Sequence, residues 1–399
     1  MLTKASVHWA APLGAMFSLM PPFCSHWPDR DPGGGHGHAG SAHAGSGADA
    51  GAAGAGGAAS ADLPVIGCPP GPWPETPQLQ LLEDSGALSV RLVSGDGEVS
   101  VGFGEHGPLF WSGDDVTEVE LAFASNERAV TCDGSIVIGN INDTNVAFRV
   151  LRSGTFTYLD TPNNGEVWTS EDDISESGVA LGAHRVPLPE QPLLWDASGA
   201  VTELPALRGL DTRRISPDGK TIWGVTHDCN EGCTTDAIFR YSAAEGITRY
   251  PIGGIPGFFQ MANDGSALFE LGMENGVTLP YDAVRPLYRF DSSTGSISSF
   301  ECPATTRCWP VAASSRAAVV FFNSARPSGE PFVDSWVWDE AHGSRPIPQL
   351  LAELGISEAG DFAPSGVSDD ARVLTGEVFR GFDRPFVPFR LLAPRGTFY

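Results

Sequence analysis

The sequence predicts an all-β fold in which one short unit is repeated seven times between about residue 85 and the C-terminus. Three features recur in every unit: a tight turn, a β-rich run directly after it, and a glycine shortly after a third extended run. A unit of this size cannot bury its own apolar face, so neighbouring copies must stack against one another.

The tight turn joins the first two strands of each unit. Four of the seven turns are Asp-Gly, the strongest short hairpin signal, because a primed turn needs positive φ. The seven turns are Asp96-Gly97, Asp133-Gly134, Ser177-Gly178, Asp218-Gly219, Asp264-Gly265, Ser315-Arg316 and Asp370-Ala371. The sixth departs most from the pattern, so its turn conformation is the hardest to predict.

The third strand of each unit carries an aromatic or aliphatic pair that we interpret as core packing between units. A glycine follows within about six residues and supplies the left-handed residue of the next hairpin. The pairs are Phe110-Trp111, Phe148-Arg149, Leu194-Trp195, Phe239-Arg240, Tyr288-Arg289, Val337-Trp338 and Phe389-Arg390. The glycines are Gly113, Gly154, Gly199, Gly246, Gly295, Gly343 and Gly396.

The repeat length indicates the architecture. The turns advance by about 46 residues per unit, which fits four short antiparallel strands, so the fold class is a seven-bladed β-propeller of four-stranded antiparallel blades. A β-sandwich or a solenoid fits the repeat less well, and six or eight blades remain alternatives. The last unit reaches only the start of its fourth strand, so we expect residues 79–82 to complete that blade; the alternative is a short strand on the outside.

The composition divides the chain into three segments. Residues 1–24 resemble an export signal with Cys24 at the position of a lipoprotein acylation site, although Pro21 and Phe23 fit that site poorly. Export without lipidation and a mis-assigned start remain alternatives. Residues 25–62, rich in Gly, Ala, Ser and His, are predicted to be a disordered tether, and residues 63–399 the propeller.

The chain is strongly acidic, with a net charge of −25. This charge repels a phosphate backbone and anionic membrane surfaces. We therefore expect no nucleic-acid partner, and membrane association only through a lipid anchor.

The cysteines support an extracellular or cell-envelope location. Without Cys24 six remain, and two pairs are close in sequence, Cys229–Cys233 and Cys302–Cys308, which leaves Cys68–Cys132. An even number in local pairs indicates disulfides formed in an oxidising compartment.

The connections between second and third strands hold the residues that could carry chemistry. Weak candidates for metal ligands or general bases are His106, His184, His227, Asp143 and Asp228. Zinc or calcium is conceivable at such side chains, but polar loops of an acidic protein explain them as well. No nucleotide, hydrolase or zinc-protease motif is present in the sequence, so we expect no cofactor and name no catalytic residue.

The units resemble the extracellular HAF repeats and, more distantly, kelch and TolB-like propellers. The residues that carry the resemblance are Ile215-Ser-Pro-Asp-Gly219 with Trp223-Gly224, and Ala147-Phe-Arg149 with Leu193-Leu-Trp195. It covers residues 85–399 and implies an exported surface protein of bacterial type, with no catalytic residues to carry over.

Two functions of different class follow. The first is a non-enzymatic binding or scaffold module for a protein or glycan at the cell surface. The alternative is a lyase or hydrolase acting on a polysaccharide or ester, with His106, His184 or His227 as the base.

Overall fold

A computed structural model describes Cys68 and residues 71–398, with gaps at 73, 83–86, 105, 114, 122–124, 142–145, 160–166, 169–172, 185–189, 227–236, 275–276, 279–283, 304–306, 326–332 and 382–385. The fold is a seven-bladed β-propeller, and each blade is an antiparallel sheet with four main strands. The predicted fold class is therefore confirmed.

The strands follow the chain from blade to blade, and within blades 1–6 the first strand is innermost. The first strand of the chain, β1 (Gln78–Leu81), belongs to blade 7. Blade 1 contains β2 (Ala87–Val93), β3 (Val99–Gly104), β4 (Pro108–Ser112) and β5 (Asp115–Glu118). Blade 2 contains β6 (Ser125–Val130), β7 (Ile136–Ile141), β8 (Ala147–Leu151) and β9 (Phe156–Tyr158). Blade 3 contains β10 (Val167–Trp168), β11 (Ala180–His184), β12 (Gln191–Trp195) and β13 (Val201–Glu203).

The remaining blades repeat the arrangement. Blade 4 contains β14 (Asp211–Ile215), β15 (Thr221–Thr226), β16 (Ala237–Ser242) and β17 (Gly246–Pro251). Blade 5 contains β18 (Gly254–Met261), β19 (Ala267–Glu274), β21 (Leu287–Asp291) and β22 (Ser296–Phe300), with the short β20 (Val277–Thr278) paired to β19. Blade 6 contains β23 (Cys308–Ala313), β24 (Val319–Ala325), β25 (Val333–Asp339) and β26 (Gly343–Pro346). Blade 7 contains β27 (Asp361–Val367), β28 (Val373–Phe379), β29 (Val387–Leu392) and β1.

One α-helix, α1 (Ile347–Glu353), links blades 6 and 7 within the described residues. It begins after Pro346, and Ile347, Leu350 and Leu351 are buried against the two blades. The repeat pattern gave no sign of this helix. Within the described part of the chain, no helix is long and apolar enough to cross a membrane.

The turn between the first two strands has the same hydrogen bonds in most blades. In blade 1 the Ser94 hydroxyl donates to Asp96 Oδ1 at 2.6 Å and accepts the N–H of Val99 at 2.9 Å. Thr131, Ser216 and Ser368 repeat this pattern with the turn aspartate two residues later. The recurring Ser/Thr-x-Asp-Gly sequence is therefore a local turn motif whose side chains satisfy the backbone. We call the end of the propeller that carries these turns the turn face, and the opposite end, where strands two and three and successive blades connect, the loop face.

The sixth turn lies one residue later than predicted. Ser314 occupies the position of Ser94, and Arg316 and Ala317 have φ values of 59° and 44°, so the turn dipeptide is Arg316-Ala317 rather than Ser315-Arg316. The missing aspartate is replaced by a neighbour, because Asp264 Oδ2 accepts the Arg316 N–H at 2.7 Å. The seven glycines after the third strands all have positive φ, as predicted, between 60° and 95°.

The ring is closed by the N-terminal strand. Strand β1 pairs antiparallel with β29, with Leu79 opposite Leu391 and Leu81 opposite Phe389. The predicted completion of the last blade is observed, although the strand begins and ends one residue earlier than expected. Closure therefore joins the two ends of the repeat region by the backbone hydrogen bonds between β1 and β29.

The core lies between blades. Clusters of buried side chains join each blade to the next, such as Val101, Phe110 and Phe148 between blades 1 and 2. At the closure, Val90, Leu109 and Trp111 of blade 1 pack with Leu82, which follows β1. Every blade therefore depends on its neighbours, as the size of the repeat unit predicts.

Candidate functional site

The innermost strands of the blades surround a central shaft. Residues from all seven blades line a cavity of about 100 Å³ along it. Equivalent positions contribute in every blade, for example Leu92, Ala129, Asp173, Arg214 and Gln260. This cavity is therefore a site to which every repeat contributes residues.

A recurrent β-bulge directs side chains into this shaft. In blade 1 the pairing shifts between Val90 and Leu92, so that Arg91 is the extra residue. The same shift makes Arg128 the extra residue of blade 2, Val311 that of blade 6 and Ser365 that of blade 7, and all four line the cavity. A bulge bends the strand and re-aims a side chain, which explains why these positions face the axis.

The bulge also explains a glycine in the second strand. A Cβ on Gly102 would lie 2.0 Å from the Ser89 carbonyl oxygen, and one on Gly376 would lie 2.2 Å from that of Ala363. At these positions the inner strand approaches so closely that glycine is favoured opposite the bulge, whereas blade 6 has the same bulge with Phe322 at that position. Blade 5 has no bulge at this position, and its buried Glu270 occupies the position that corresponds to Gly102 in blade 1.

Glu270 is the centre of a buried ion cluster between blades 5 and 6. Arg307 binds both its oxygens, with Nε 3.0 Å from Oε2, and Arg285 Nη1 is 3.7 Å from Oε1. All three side chains are less than 10% exposed, and the Arg307 guanidinium also lies 4.8 Å from the Phe258 ring centroid. These contacts tie the Cys302–Cys308 region to blade 5 and indicate a structural role.

Two guanidinium groups stand on adjacent blades of the shaft wall. Arg91 lies over the Phe103 ring at 5.1 Å, which fixes its orientation. Arg128 is at the equivalent position of blade 2. A third, Arg214, lines the same cavity and donates to the Met261 carbonyl at 2.8 Å.

Carboxylates near the shaft are already bonded to neighbouring groups. Asp173 accepts from Arg214 Nη1 at 3.4 Å and from the Ile215 N–H at 3.2 Å. Glu127 accepts from the Ser125 hydroxyl at 2.7 Å. Burial raises the pKa of Glu127 and that of Glu377, and the positive charge of Arg91 opposes the increase in both.

At the turn face, Cys68 contacts Asp369, one of the residues that line the shaft. Asp369 accepts the Cys68 N–H at 3.0 Å and the Asn263 amide at 2.9 Å. Burial raises the pKa of Asp369 to about 7; the Cys68 N–H opposes the increase, and the charges of Asp264 and Asp173 add to it.

The structure contains the disulfides Cys68–Cys132 and Cys302–Cys308, which are two of the pairs that the sequence predicts. The first fixes the segment before β1 to the turn of blade 2. Cys229, Cys233 and Cys24 lie outside the described residues, so the third disulfide and the lipidation remain predictions.

The histidines chosen from the sequence are placed differently from one another. His106 is exposed beside the loop-face turn of blade 1. His184 ends β11 in blade 3 and is only 5% exposed, and its Nε2 has no hydrogen-bond partner within the described residues. His227, Asp143 and Asp228 lie outside the described residues. In the part of the chain that the structure describes, no three His, Cys, Asp or Glu side chains form a group suited to a metal ion.

Sequence reasoning missed the shaft arginines, although a signal was present. Arg91, Arg128 and Arg213 each stand five residues before the aspartate of an Asp-Gly turn. That spacing places two of them, Arg91 and Arg128, at the bulge that lines the cavity. Arg213 is also a bulge residue, but it pairs with Asp211 at 2.7 Å, and the next residue, Arg214, lines the cavity instead.

Solved structures of other proteins align with this chain at low sequence identity. No protein-family model matches the sequence, and no curated protein is significantly similar to it. A virginiamycin B lyase from Staphylococcus aureus has a TM-score of 0.47 and 16% identity, covering 79% of this chain and 99% of its own. TolB from Acinetobacter baumannii has a TM-score of 0.42 and 15% identity over 66% of this chain and 64% of its own. The Swd1 propeller of Myceliophteria thermophila has a TM-score of 0.48 and 12% identity over 78% and 98%. At these identities the likeness concerns the fold, and it assigns no activity.

Proposed function

We propose that this chain is an exported β-propeller, tethered through its N-terminal residues, that binds a protein or glycan partner at its loop face without chemical turnover. The observation that carries the proposal is the shaft, a polar concave site to which all seven blades contribute. Concave sites with a few convergent polar groups are the usual positions of ligands. The cavity lies among the innermost strands, so a macromolecular partner would make most of its contacts on the surrounding loop face.

Export is supported by the two disulfides, because such bonds persist in oxidising compartments. Anchoring through Cys24 and a HAF-type family remain parts of the proposal. Intact-mass measurement of the purified protein and of the Cys24→Ser variant tests the anchor: a lipid-sized mass difference supports it, and two unmodified proteins exclude it.

The binding function is tested with a matched pair of charge reversals. Arg208 is exposed on the loop-face connection between blades 3 and 4, and Lys220 is exposed on a turn of the opposite face. Partners are first selected on glycan and secreted-protein arrays. Arg208→Glu should weaken a selected partner at least tenfold and Lys220→Glu should not. The reverse pattern, or equal effects, contradicts binding at the loop face.

A lyase or hydrolase is the second candidate, and one observation favours it. The buried His184 presents Nε2 without a hydrogen-bond partner within the described residues, at the loop-face end of β11. Such a nitrogen can act as a base if a substrate reaches it. Turnover of polysaccharide or ester substrates that disappears in His184→Ala, with binding retained, would favour the enzyme over the binding module.

A further inference from the structure

We propose that β22, the outer strand of blade 5, pairs antiparallel with the same strand of a second copy of this chain. This interface lies on the rim of the propeller and goes beyond the loop-face function proposed above. Strand β22 (Ser296–Phe300) ends the sheet of blade 5, and among the described strands it pairs with β21 alone. Its other edge of backbone N–H and C=O groups is therefore open to a further strand.

Strand β22 lacks the features that ordinarily keep an outer strand from pairing. It contains no charged residue and no proline, and its first four residues are all exposed. Four other described outer strands carry a charged residue, and the last two of them also a proline: β5, β13, β17 and β26. The outer strands β9 and β1 are uncharged but have only three and four residues. Strand β22 is thus the longest unprotected edge of the described blades.

A two-fold axis through Ser298 gives the register that pairs all five residues. Residues directly opposite each other in an antiparallel pair lie on the same face of the sheet. Ser298 would lie opposite Ser298 of the second copy, and Ile297 opposite Ser299. Phe300 would lie opposite Ser296, so that each large side chain meets a serine. The strand is therefore complementary to itself in size, as a two-fold interface between identical surfaces requires.

Apolar side chains flank this edge on both faces of blade 5. On the face toward blade 6, the Phe300 ring stacks on Trp338 at 4.9 Å and 14°, which holds the end of the strand in place. On the face toward blade 4, Ile297 is 36% exposed and pairs with Phe290. The Phe290 ring in turn lies 5.1 Å from that of Tyr250 in blade 4. A second strand would cover Ile297 and Phe300 in both copies, and the burial of such groups stabilises association.

The charge of the chain favours a second copy over a different protein at this edge. The net charge is −25, so a basic partner is attracted to the acidic parts of the surface, and β22 offers it no carboxylate. Two copies of the chain repel each other wherever acidic strands meet. Self-pairing of β5, for example, would bring together Asp115 and Glu118 of both copies. An uncharged strand avoids this repulsion, so identical acidic chains can approach each other there.

Five paired residues form a small interface, so the association should be weak and depend on concentration. Repulsion between the two acidic chains opposes it at low salt and is screened at high salt. We therefore expect a reversible monomer–dimer equilibrium that shifts toward the dimer as salt is added.

The test is sedimentation velocity of the purified full chain over a range of protein concentrations. The average mass should rise from that of the monomer toward twice that value and no further, because a two-fold interface closes. Ser298→Lys places two ammonium groups directly opposite each other and should raise the dissociation constant about tenfold or more. Thr202→Lys makes the same change of charge at an exposed position of β13, the outer strand of blade 3, and should leave the equilibrium unchanged.

A second pair of variants tests the register and does not depend on the lysine variants. In Ser298→Cys the two new residues lie opposite each other, with their Cα atoms about 5 Å apart. In Ser296→Cys they are offset by four residues along the strands, roughly 13 Å. Mild oxidation should therefore crosslink the Ser298→Cys chains and leave the Ser296→Cys chains monomeric, with the native cysteines the same in both.

Several results would overturn the inference. These are a chain that stays monomeric at all concentrations, an equilibrium unchanged by Ser298→Lys, equal crosslinking of the two cysteine variants, or growth into assemblies larger than a dimer. Protection of the β22 amides from hydrogen exchange by a selected partner protein, in a chain that stays monomeric, would assign the edge to that partner and overturn the inference as well.

Discussion

Asp369 gives the sharpest stability prediction, because it is a buried carboxyl whose pKa is raised from 3.8 to about 7. As the pH rises past about 4 the unfolded chain releases this proton, whereas the folded chain retains it until about pH 7. The folded state therefore binds the extra proton in this window, and stability falls as the pH rises. Above pH 7 both states are ionised and the contribution becomes constant.

The magnitude follows from the size of the shift. About three pKa units at 1.36 kcal/mol each correspond to roughly 4 kcal/mol of destabilisation once the folded carboxyl is ionised. Part of this develops below pH 5, so roughly 2 to 3 kcal/mol is expected between pH 5 and pH 8. At about 2 °C per kcal/mol for a domain of this size, the melting temperature should change by roughly 5 °C.

The perturbation is Asp369→Asn, which removes the titration. The new amide oxygen can accept the Cys68 N–H, and the Asn263 amide can turn to present its oxygen to the new NH₂ group. Burial also raises the pKa values of Glu127, Asp173, Asp264 and Glu377. These groups remain in both proteins, so the difference between wild type and variant reports the titration of Asp369 together with its coupling to Asp173 and Asp264.

The assay is urea unfolding, with thermal melting in parallel, between pH 5 and pH 8 with the disulfides intact. The variant should gain stability relative to wild type by 2 to 3 kcal/mol across this range. Asp115→Asn, which removes an exposed carboxylate of β5, serves as the control. Wild-type and Asp369→Asn curves that stay parallel would show that the carboxyl does not titrate differently on folding.

Three further predictions concern the contacts that hold the ring together. Replacing Cys68 and Cys132 by serine removes a crosslink with a sequence separation of 64. Loop entropy predicts that the free energy of unfolding falls by about 4 kcal/mol, measured by denaturation under non-reducing conditions. An unchanged free energy of unfolding would mean that β1 and its flanking contacts hold this segment without the disulfide. Glu270→Ala leaves Arg307 buried without its carboxylate and should cost about 3 to 5 kcal/mol, whereas a loss below 1 kcal/mol would show that solvent reaches the pair. Leu81→Asp places a charge opposite β29 and should lower the unfolding free energy by about 2 kcal/mol and expose the N-terminal segment to limited proteolysis; unchanged proteolysis would contradict closure by β1.

Much of the fold follows from short-range patterns in the sequence. In the turn around Asp96-Gly97, the side chains of Ser94 and Asp96 accept hydrogen bonds from backbone N–H groups of the same turn. Each copy of this short sequence therefore predicts a hairpin. The sixth turn was displaced by one residue because its stabilising carboxylate, Asp264, comes from the neighbouring blade and is invisible in the local sequence. Helix α1 was missed because the repeat pattern describes only strands and turns, and the buried face of Ile347, Leu350 and Leu351 belongs to the connection between two units.

The candidate site depended far more on the tertiary structure. The histidines were chosen because their side chains can carry chemistry, yet His106 is exposed and His184 is buried, and the sequence gave no indication of either. Arg91 and Arg128 looked like ordinary charged residues of two strands. They share a cavity only because a bulge turns each toward an axis that exists after seven blades have closed.

The sequence by itself determined the repeat and its hairpins, because hairpin turns and alternating strands are set by neighbouring residues. It favoured seven blades completed by the N-terminal strand, and the structure decided both. The closed ring decided which side chains meet: Cys68 and Asp369 at one end of the shaft, and the arginines of blades 1 and 2 along its wall. These contacts join residues up to 301 positions apart in sequence. The distances between such residues depend on the twist and packing of all the blades together.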